Sequence, residues 1–206
     1  MYIKCCGFKE KSDIETAVKY QADAIGFITF PKSKRYVTVE EISTLSKDID
    51  DKVDKVAIVV NPTIKDIEAL VESTSINTIQ FHGDETVDFI EKVKIKYPNI
   101  KIFKALPAND SLEDNIQLFK GQVDLFLIDT PSKDYGGTGK SYDWSILEHI
   151  EDVPYLIAGG LDLEKIQQIE KRELSNIGYD ISSGIETEGK KDNSKIKTLL
   201  TQLKGW

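Results

Sequence analysis

Leu125-Phe126-Leu127-Ile128-Asp129-Thr130-Pro131-Ser132-Lys133-Asp134-Tyr135-Gly136-Gly137-Thr138-Gly139-Lys140 is an apolar run that ends in a carboxylate and opens into a glycine-rich loop. A short, continuous apolar run of this kind reads as a buried strand. An acid at its end, followed by a loop too rich in glycine to be packing material, suits general acid chemistry under a lid. An Asp in that position also commonly caps the next turn, so its role depends on what else reaches it.

Runs of the same type recur along the chain: Tyr2 to Cys6, Ala24 to Ile28, Val53 to Val60, Thr78 to Phe81, Ile100 to Lys104, Val123 to Ile128, Tyr155 to Ala158 and Tyr179 to Ser182. Between them lie segments with helical spacing, such as Ile14, Val18 and Tyr20-Gln21, or Ile64, Ile67, Leu70 and Val71. Thr38-Val39-Glu40-Glu41 sets a capping residue three before an acid, and Asn61-Pro62-Thr63 marks the start of the third helix. Glu85 to Val93 and Ile146 to Ile150 read as further helices with sparser apolar spacing. Strand then helix, repeated eight times, predicts an α/β fold, a (β/α)8 TIM barrel forming a single domain over 1–206. The chain is short for that architecture, which predicts trimmed helices. A competing open sheet would show a glycine-rich turn after the first strand, and Cys6-Gly7-Phe8 is not a dinucleotide fingerprint.

Lys and Arg number 27 against 35 Asp and Glu, a formal charge of -8 with both signs mixed along the chain. Such a surface repels nucleic acid and anionic lipid, so neither is expected as a partner. Cys5 and Cys6 are sequence neighbours and poorly placed for a mutual structural disulfide, which points to a reducing, cytoplasmic setting. No leader-like N-terminal segment stands out, and no apolar run approaches the length of a membrane span. The only histidines are His82 and His149, and no Cys or His spacing fits a metal site.

In a barrel the site lies at the C-terminal strand ends. Those ends carry Cys6, Pro31-Lys32-Ser33-Lys34-Arg35, Phe81-His82-Gly83-Asp84, Asp129, Ala158-Gly159-Gly160 and Ser182-Ser183-Gly184. Gly159 and Gly160 let backbone approach a ligand, and Ser182, Ser183 and Gly184 offer hydroxyl and amide donors. Loops after strands seven and eight therefore read as a phosphate site. Lys32 and Lys34 read as solvated loop, whereas Arg35 has a planar fork that matches a carboxylate. His82 is either a donor to the ligand or a partner of a residue that touches it.

Strand parity separates the two thiols. Ile3 and Cys5 share one face and suit the layer beneath the helices, which turns Lys4 and Cys6 to the barrel interior. Cys6 then points to the mouth, and as a base it needs nearby positive charge to lower its proton affinity. Lys4 needs a partner inside the barrel. Asp180, on the strand that closes against the first, is predicted to supply it.

Ile3-Lys4-Cys5-Cys6-Gly7, Gly26 through Tyr36, Gln80-Phe81-His82-Gly83-Asp84-Glu85, Leu127-Ile128-Asp129-Thr130 and Gly136-Gly137-Thr138-Gly139-Lys140 with Asp143-Trp144 closely resemble the phosphoribosylanthranilate isomerase family. So do Ala158-Gly159-Gly160-Leu161 and Asp180-Ile181-Ser182-Ser183-Gly184-Ile185-Glu186 with Gly189-Lys190-Lys191-Asp192. The resemblance implies an Amadori rearrangement in tryptophan biosynthesis, from N-(5-phosphoribosyl)anthranilate to 1-(2-carboxyphenylamino)-1-deoxyribulose 5-phosphate. It implies Asp129 as general acid, Cys6 as general base, Arg35 on the anthranilate carboxylate, and Gly160, Ser182, Ser183 and Gly184 on the phosphate. The loop holding Gly137, Thr138 and Gly139 would close over the substrate. No cofactor is implied, the partner is a small molecule, and the chain is a monomer or a homodimer.

Cys5 replaces an aliphatic residue common in that family, as do Phe8 and Phe81, and the two aromatics bear on the anthranilate side of the pocket. Other phosphate-gripping barrels fit less well. An epimerase would need more metal ligands, and an indole-glycerol-phosphate synthase would need an N-terminal extension before Tyr2. A thiol sensor built on Cys5-Cys6 leaves Asp129 and the two phosphate loops without a purpose.

Overall fold

Eight parallel strands close on themselves in sequence order, each bonded to the next and the last to the first. They are β1 (Tyr2–Cys6), β2 (Ala24–Ile28), β3 (Asp54–Val59), β4 (Thr78–Phe81), β5 (Lys101–Pro107), β6 (Leu125–Asp129), β7 (Tyr155–Ile157) and β8 (Gly178–Ile181). This is a (β/α)8 barrel, seen in a computed structural model that describes residues 1–131 and 142–205. Outside the cylinder lie α1 (Lys11–Lys19), α2 (Val39–Ser46), α3 (Ile64–Ser73), α4 (Val87–Lys96), α5 (Leu112–Phe119), α6 (Leu163–Glu170) and α7 (Asn193–Lys204).

The helix starts follow local chemistry. Thr38 and Thr63 each accept from the backbone three residues on, while Glu41 and Asp66 reach back to close capping boxes. Each such cap contributes about 1 kcal/mol. Glu85 stays out of α4, because its carboxylate accepts from the backbone of Asn61 and Gly83 instead. Between β6 and β7 the described residues hold a 3-10 turn, Trp144–Leu147, in place of the helix expected over Ile146 to Ile150. Asp143 caps it by accepting from Ser145 N at 3.0 Å.

Side-chain alternation sorts the core into two layers. Ile3, Cys5, Phe27, Ile79, Phe81, Phe126, Ile128 and Tyr179 pack between sheet and helices. Cys6, Ala24, Val56, Ile58, Phe103, Leu125, Leu127 and Leu156 fill the cylinder itself. Lys4 lies inside as well, with no exposed surface, and its Nζ meets Asp180 Oδ1 at 2.9 Å. Burial works against the Lys4 charge, but Asp180 and Cys6 together outweigh it and the ammonium is held above its ordinary value.

Cys5 has a different environment. Burial pushes its thiol from 9.0 up to about 12. The folded protein keeps the proton that the unfolded chain loses first, so Cys5 costs nothing below about pH 9 and destabilises progressively from about pH 9 to about pH 12. The total is about 4 kcal/mol. Urea titrations across that window are expected to show a shallower alkaline decline for Cys5→Val than for the natural chain. Equal slopes would mean that the thiol is ionised where it lies.

Candidate active site

Cys6 ends β1 on the inner face, opposite Gly26 in the β1–β2 register. A Cβ on Gly26 would fall 2.9 Å from Cys6 Sγ, so the sulfur rests in the notch left by the missing side chain. Beneath it lies the Lys4–Asp180 pair, and Ser182 Oγ ties β8 to the Cys6 carbonyl at 3.0 Å. Burial pushes the Cys6 thiol up, and the opposing pull of Lys4 and Lys191 does not reverse it. The thiol is therefore held in its protonated form, and the positive charge that a base at this position needs is not supplied in full by the surroundings. The cations are present, but desolvation is the larger effect.

Asp129 ends β6 at the same rim and on the same inner face, two residues beyond the interior residue Leu127. Its Oδ1 accepts from Thr130 N at 2.7 Å, and its Oδ2 lies 3.4 Å from His82 Nε2. The His82 loop is clamped from outside the cylinder. Lys104 Nζ donates to Gly83 O at 2.7 Å and to Glu85 at 3.1 Å, and Glu85 also accepts from Gly83 N. Tyr142 was not singled out from the sequence. Its hydroxyl donates to Ile128 O at 3.1 Å, and burial together with the Asp129 charge holds the phenol well above its ordinary value.

Arg35 is buried, and Gly7 makes room for it. A Cβ on Gly7, which has φ of 82°, would fall 2.4 Å from Arg35 Cδ. The fork of Arg35 is already half used, with Nε and Nη2 donating to Glu186 at 2.6 and 2.7 Å. Lys191 shares that carboxylate at 2.8 Å and stands over the Phe8 ring at 5.6 Å. A two-stranded ribbon, Glu186–Thr187 against Lys190–Lys191, sets Glu186 beside Lys191. Its turn residues Glu188 and Gly189 both have positive φ, 52° and 78°, as a tight hairpin requires. Lys32 and Lys34 are exposed, as solvated residues should be.

Burial pushes Glu186 up, yet the bonds from Arg35 and Lys191 overcome this and keep its carboxyl below the ordinary value. Glu186→Gln would leave two cations buried around a neutral amide. We expect a stability loss of about 3–5 kcal/mol by urea denaturation. The loss should shrink as pH falls through the carboxyl's titration, because protonating Glu186 removes the same charge. A variant within about 1 kcal/mol of the natural chain at neutral pH would show that the triad is solvated.

Gly159 and Gly160 follow β7 with φ of 91° and 59°. A Cβ on Gly159 would fall 2.2 Å from Thr130 Oγ1 and 3.0 Å from Asp129 Oδ1, so this loop abuts the carboxylate. A Cβ on Gly184 would fall 2.0 Å from Leu161 O, so the loops after β7 and β8 touch backbone to backbone. Ser183 and Gly184 lie in the 3-10 turn Ser183–Ile185, whereas Ser182 has turned its hydroxyl to Cys6. Gly137, Thr138 and Gly139 lie outside the described residues. Phe8 and Phe81 do not line the inner face. Both are fully buried in the outer layer, where Phe81 meets Phe89 edge to face at 6.0 Å. Among the described residues no group of three or more His, Cys, Asp or Glu is placed to hold a metal, and no helix is long and apolar enough to cross a membrane.

The family model for N-(5'phosphoribosyl)anthranilate (PRA) isomerase matches residues 3–202. The N-(5'-phosphoribosyl)anthranilate isomerase of Staphylococcus carnosus (strain TM300) is 54% identical over 205 residues, covering 100% of this chain and 98% of its own. The phosphoribosyl anthranilate isomerase of Thermotoga maritima superposes with a TM-score of 0.87 at 30% identity, with 100% of both chains covered. A phosphoribosyl anthranilate isomerase in complex with reduced 1-(o-carboxyphenylamino)-1-deoxyribulose 5-phosphate superposes with a TM-score of 0.82 at 27% identity, again over 100% of both. Sharing 54% of positions with such a relative across its entire length, the chain belongs to the N-(5'-phosphoribosyl)anthranilate isomerase family.

Proposed function

We propose that the chain converts N-(5-phosphoribosyl)anthranilate into 1-(2-carboxyphenylamino)-1-deoxyribulose 5-phosphate in tryptophan biosynthesis, with Asp129 as acid and Cys6 as base. The observation that carries these roles is the placement of a thiol and a carboxyl group on the inner face at one rim of the cylinder, from β1 and β6. The phosphate loops lie between them. The β8 loop touches Cys6 through Ser182, the β7 loop touches Asp129 through Gly159, and the two loops touch each other.

Asp129 gives its proton to the ribose ring oxygen as the C1–O bond breaks, and the nitrogen lone pair moves in to form a C1 iminium. Cys6 loses its thiol proton to solvent as the iminium forms beside it and, as thiolate, removes the C2 proton, and the C–H electrons become the C1–C2 double bond as the nitrogen recovers its lone pair. Protonation at C1 and loss of the C2 hydroxyl proton then give the ketone. A thiol held protonated at rest ionises most readily when a cation arrives beside it, and the iminium is that cation. Glu186 takes Nε and Nη2 of Arg35, which leaves the Nη1 side for the anthranilate carboxylate. Ser183, Gly184 and Gly160 would hold the phosphate largely through backbone amides. His82 serves Asp129 in this reading.

Loss of phosphoribosylanthranilate fluorescence, followed with the purified chain at neutral pH without added metal or cofactor, tests this reading. Turnover supports it. A chain that is folded by circular dichroism and inert in that assay would overturn it.

A further inference from the structure

The inner face of β4 carries a polar residue that the chemistry above does not use. Gln80 is 1% exposed and lies in register between Ile58 of β3 and Phe103 of β5, both in the apolar filling of the cylinder. Its Nε2 lies 3.3 Å from His82 Nδ1, while its Oε1 is buried without a partner among the described residues. A buried amide with half its capacity unused carries a penalty that an apolar residue of the same size would avoid. Its retention needs a reason, and the next link supplies one. The other ring nitrogen of His82 faces Asp129 Oδ2 at 3.4 Å.

An imidazole nitrogen that receives an amide N–H must be bare, so a neutral ring then carries its proton on the opposite nitrogen. We propose that Gln80 is a positioning residue: its amide donates to Nδ1 of His82, fixes the ring proton on Nε2, and so aims a donor at the Asp129 carboxylate. With Thr130 N–H on Oδ1, both oxygens of Asp129 then face a donor. When Asp129 gives up its proton, the carboxylate that forms is met by two hydrogen bonds already in place. The proposal rests on the reading of Asp129 as the acid.

Other ionisable groups face this chain from the neighbouring elements. Tyr142 stands against Asp129, Lys104 of β5 and Glu85 clamp Gly83 next to His82, and Asp84 follows in the same loop. Lys104 spends its donors on Gly83 O and Glu85 and Tyr142 spends its own on Ile128 O, so the Gln80 amide at Nδ1 and the Asp129 carboxylate at Nε2 bias the tautomer the same way.

The test is nitrogen-15 spectroscopy of the histidine ring in the full ligand-free chain. His149 is exposed, and a His149→Asn background leaves one histidine to observe. At neutral pH the expected pattern is Nε2 protonated and Nδ1 bare and hydrogen-bonded. Gln80→Met should move the Nδ1 resonance to that of an unbonded bare nitrogen and lower kcat about fivefold, with KM within about twofold. Gln80→Glu, measured at a pH where the new carboxyl is ionised, can only accept, so Nδ1 should become protonated there and kcat should fall further. A protonated Nδ1 in the natural chain, or ring resonances unmoved by Gln80→Met, overturns the proposal. The expected ring pattern in a chain inert toward phosphoribosylanthranilate would remove the catalytic reading of Asp129 and leave the Gln80–His82 contact standing.

Discussion

Cys6→Ser is expected to lower kcat by about 10^3-fold, the loss of a general base, while Cys5→Ser stays within about tenfold of the natural chain. A serine hydroxyl at this position gives up its proton far less readily than a thiol, and the arriving iminium cannot make up the difference. Its oxygen is also smaller than sulfur and would sit loosely in the notch above Gly26. Cys5 faces away, into the layer beneath the helices. Its serine variant buries a hydroxyl and should cost about 1–3 kcal/mol of stability without touching the reaction. The fluorescence assay on both variants separates the thiols. A dead Cys5→Ser beside an active Cys6→Ser would reverse the assignment.

Asp129→Asn is expected to lower kcat by a similar factor, about 10^3-fold, with KM within about threefold. The amide is nearly isosteric and can still accept from Thr130 N through its oxygen, so the backbone of the rim should keep its shape while the His82 ring gives way to the new NH2 group. What it lacks is an acidic proton for the ring oxygen. If turnover of Asp129→Asn remained within about tenfold, ring opening would need no acid from β6, and the role would have to move elsewhere on the rim. Thermal melting within a few degrees of the natural chain would confirm that the loss is chemical.

Much of this architecture was legible because period-two alternation is a strong constraint. The apolar runs coincide with the bounds of β1, β2 and β4, and parity together with the closure of β8 on β1 is enough to place Lys4 against Asp180. β5 was cut short at Lys104, because a charge interrupts the apolar run. The strand continues to Pro107, since Lys104 faces outward and is neutralised by Glu85. The stretch after Asp143 resembled a helix by spacing, but the connection there forms a 3-10 turn. At the site, the sequence marked the strand-end residues and left their supporters without roles. Glu186 and Lys191 meet Arg35 across some 150 positions, through a hairpin whose signal is only Glu188-Gly189. The protonated state of Cys6 depends on desolvation, which no spacing rule conveys. Phe8 and Phe81 bore on the pocket only as departures from the family's motifs, and alternation already turns Phe81 outward.

Gly184 lies against the Leu161 carbonyl with no space for a side chain between them. Neither half of the proposed anion cradle can therefore drift without the other, and a bound phosphate becomes a fixed datum from which the sugar is measured. On the proposed roles, counting carbons from that anchor would decide which atom arrives at the sulfur and which oxygen arrives at the acid. A sugar one carbon longer would overshoot both, so the same contact that joins two loops also works as a ruler for chain length.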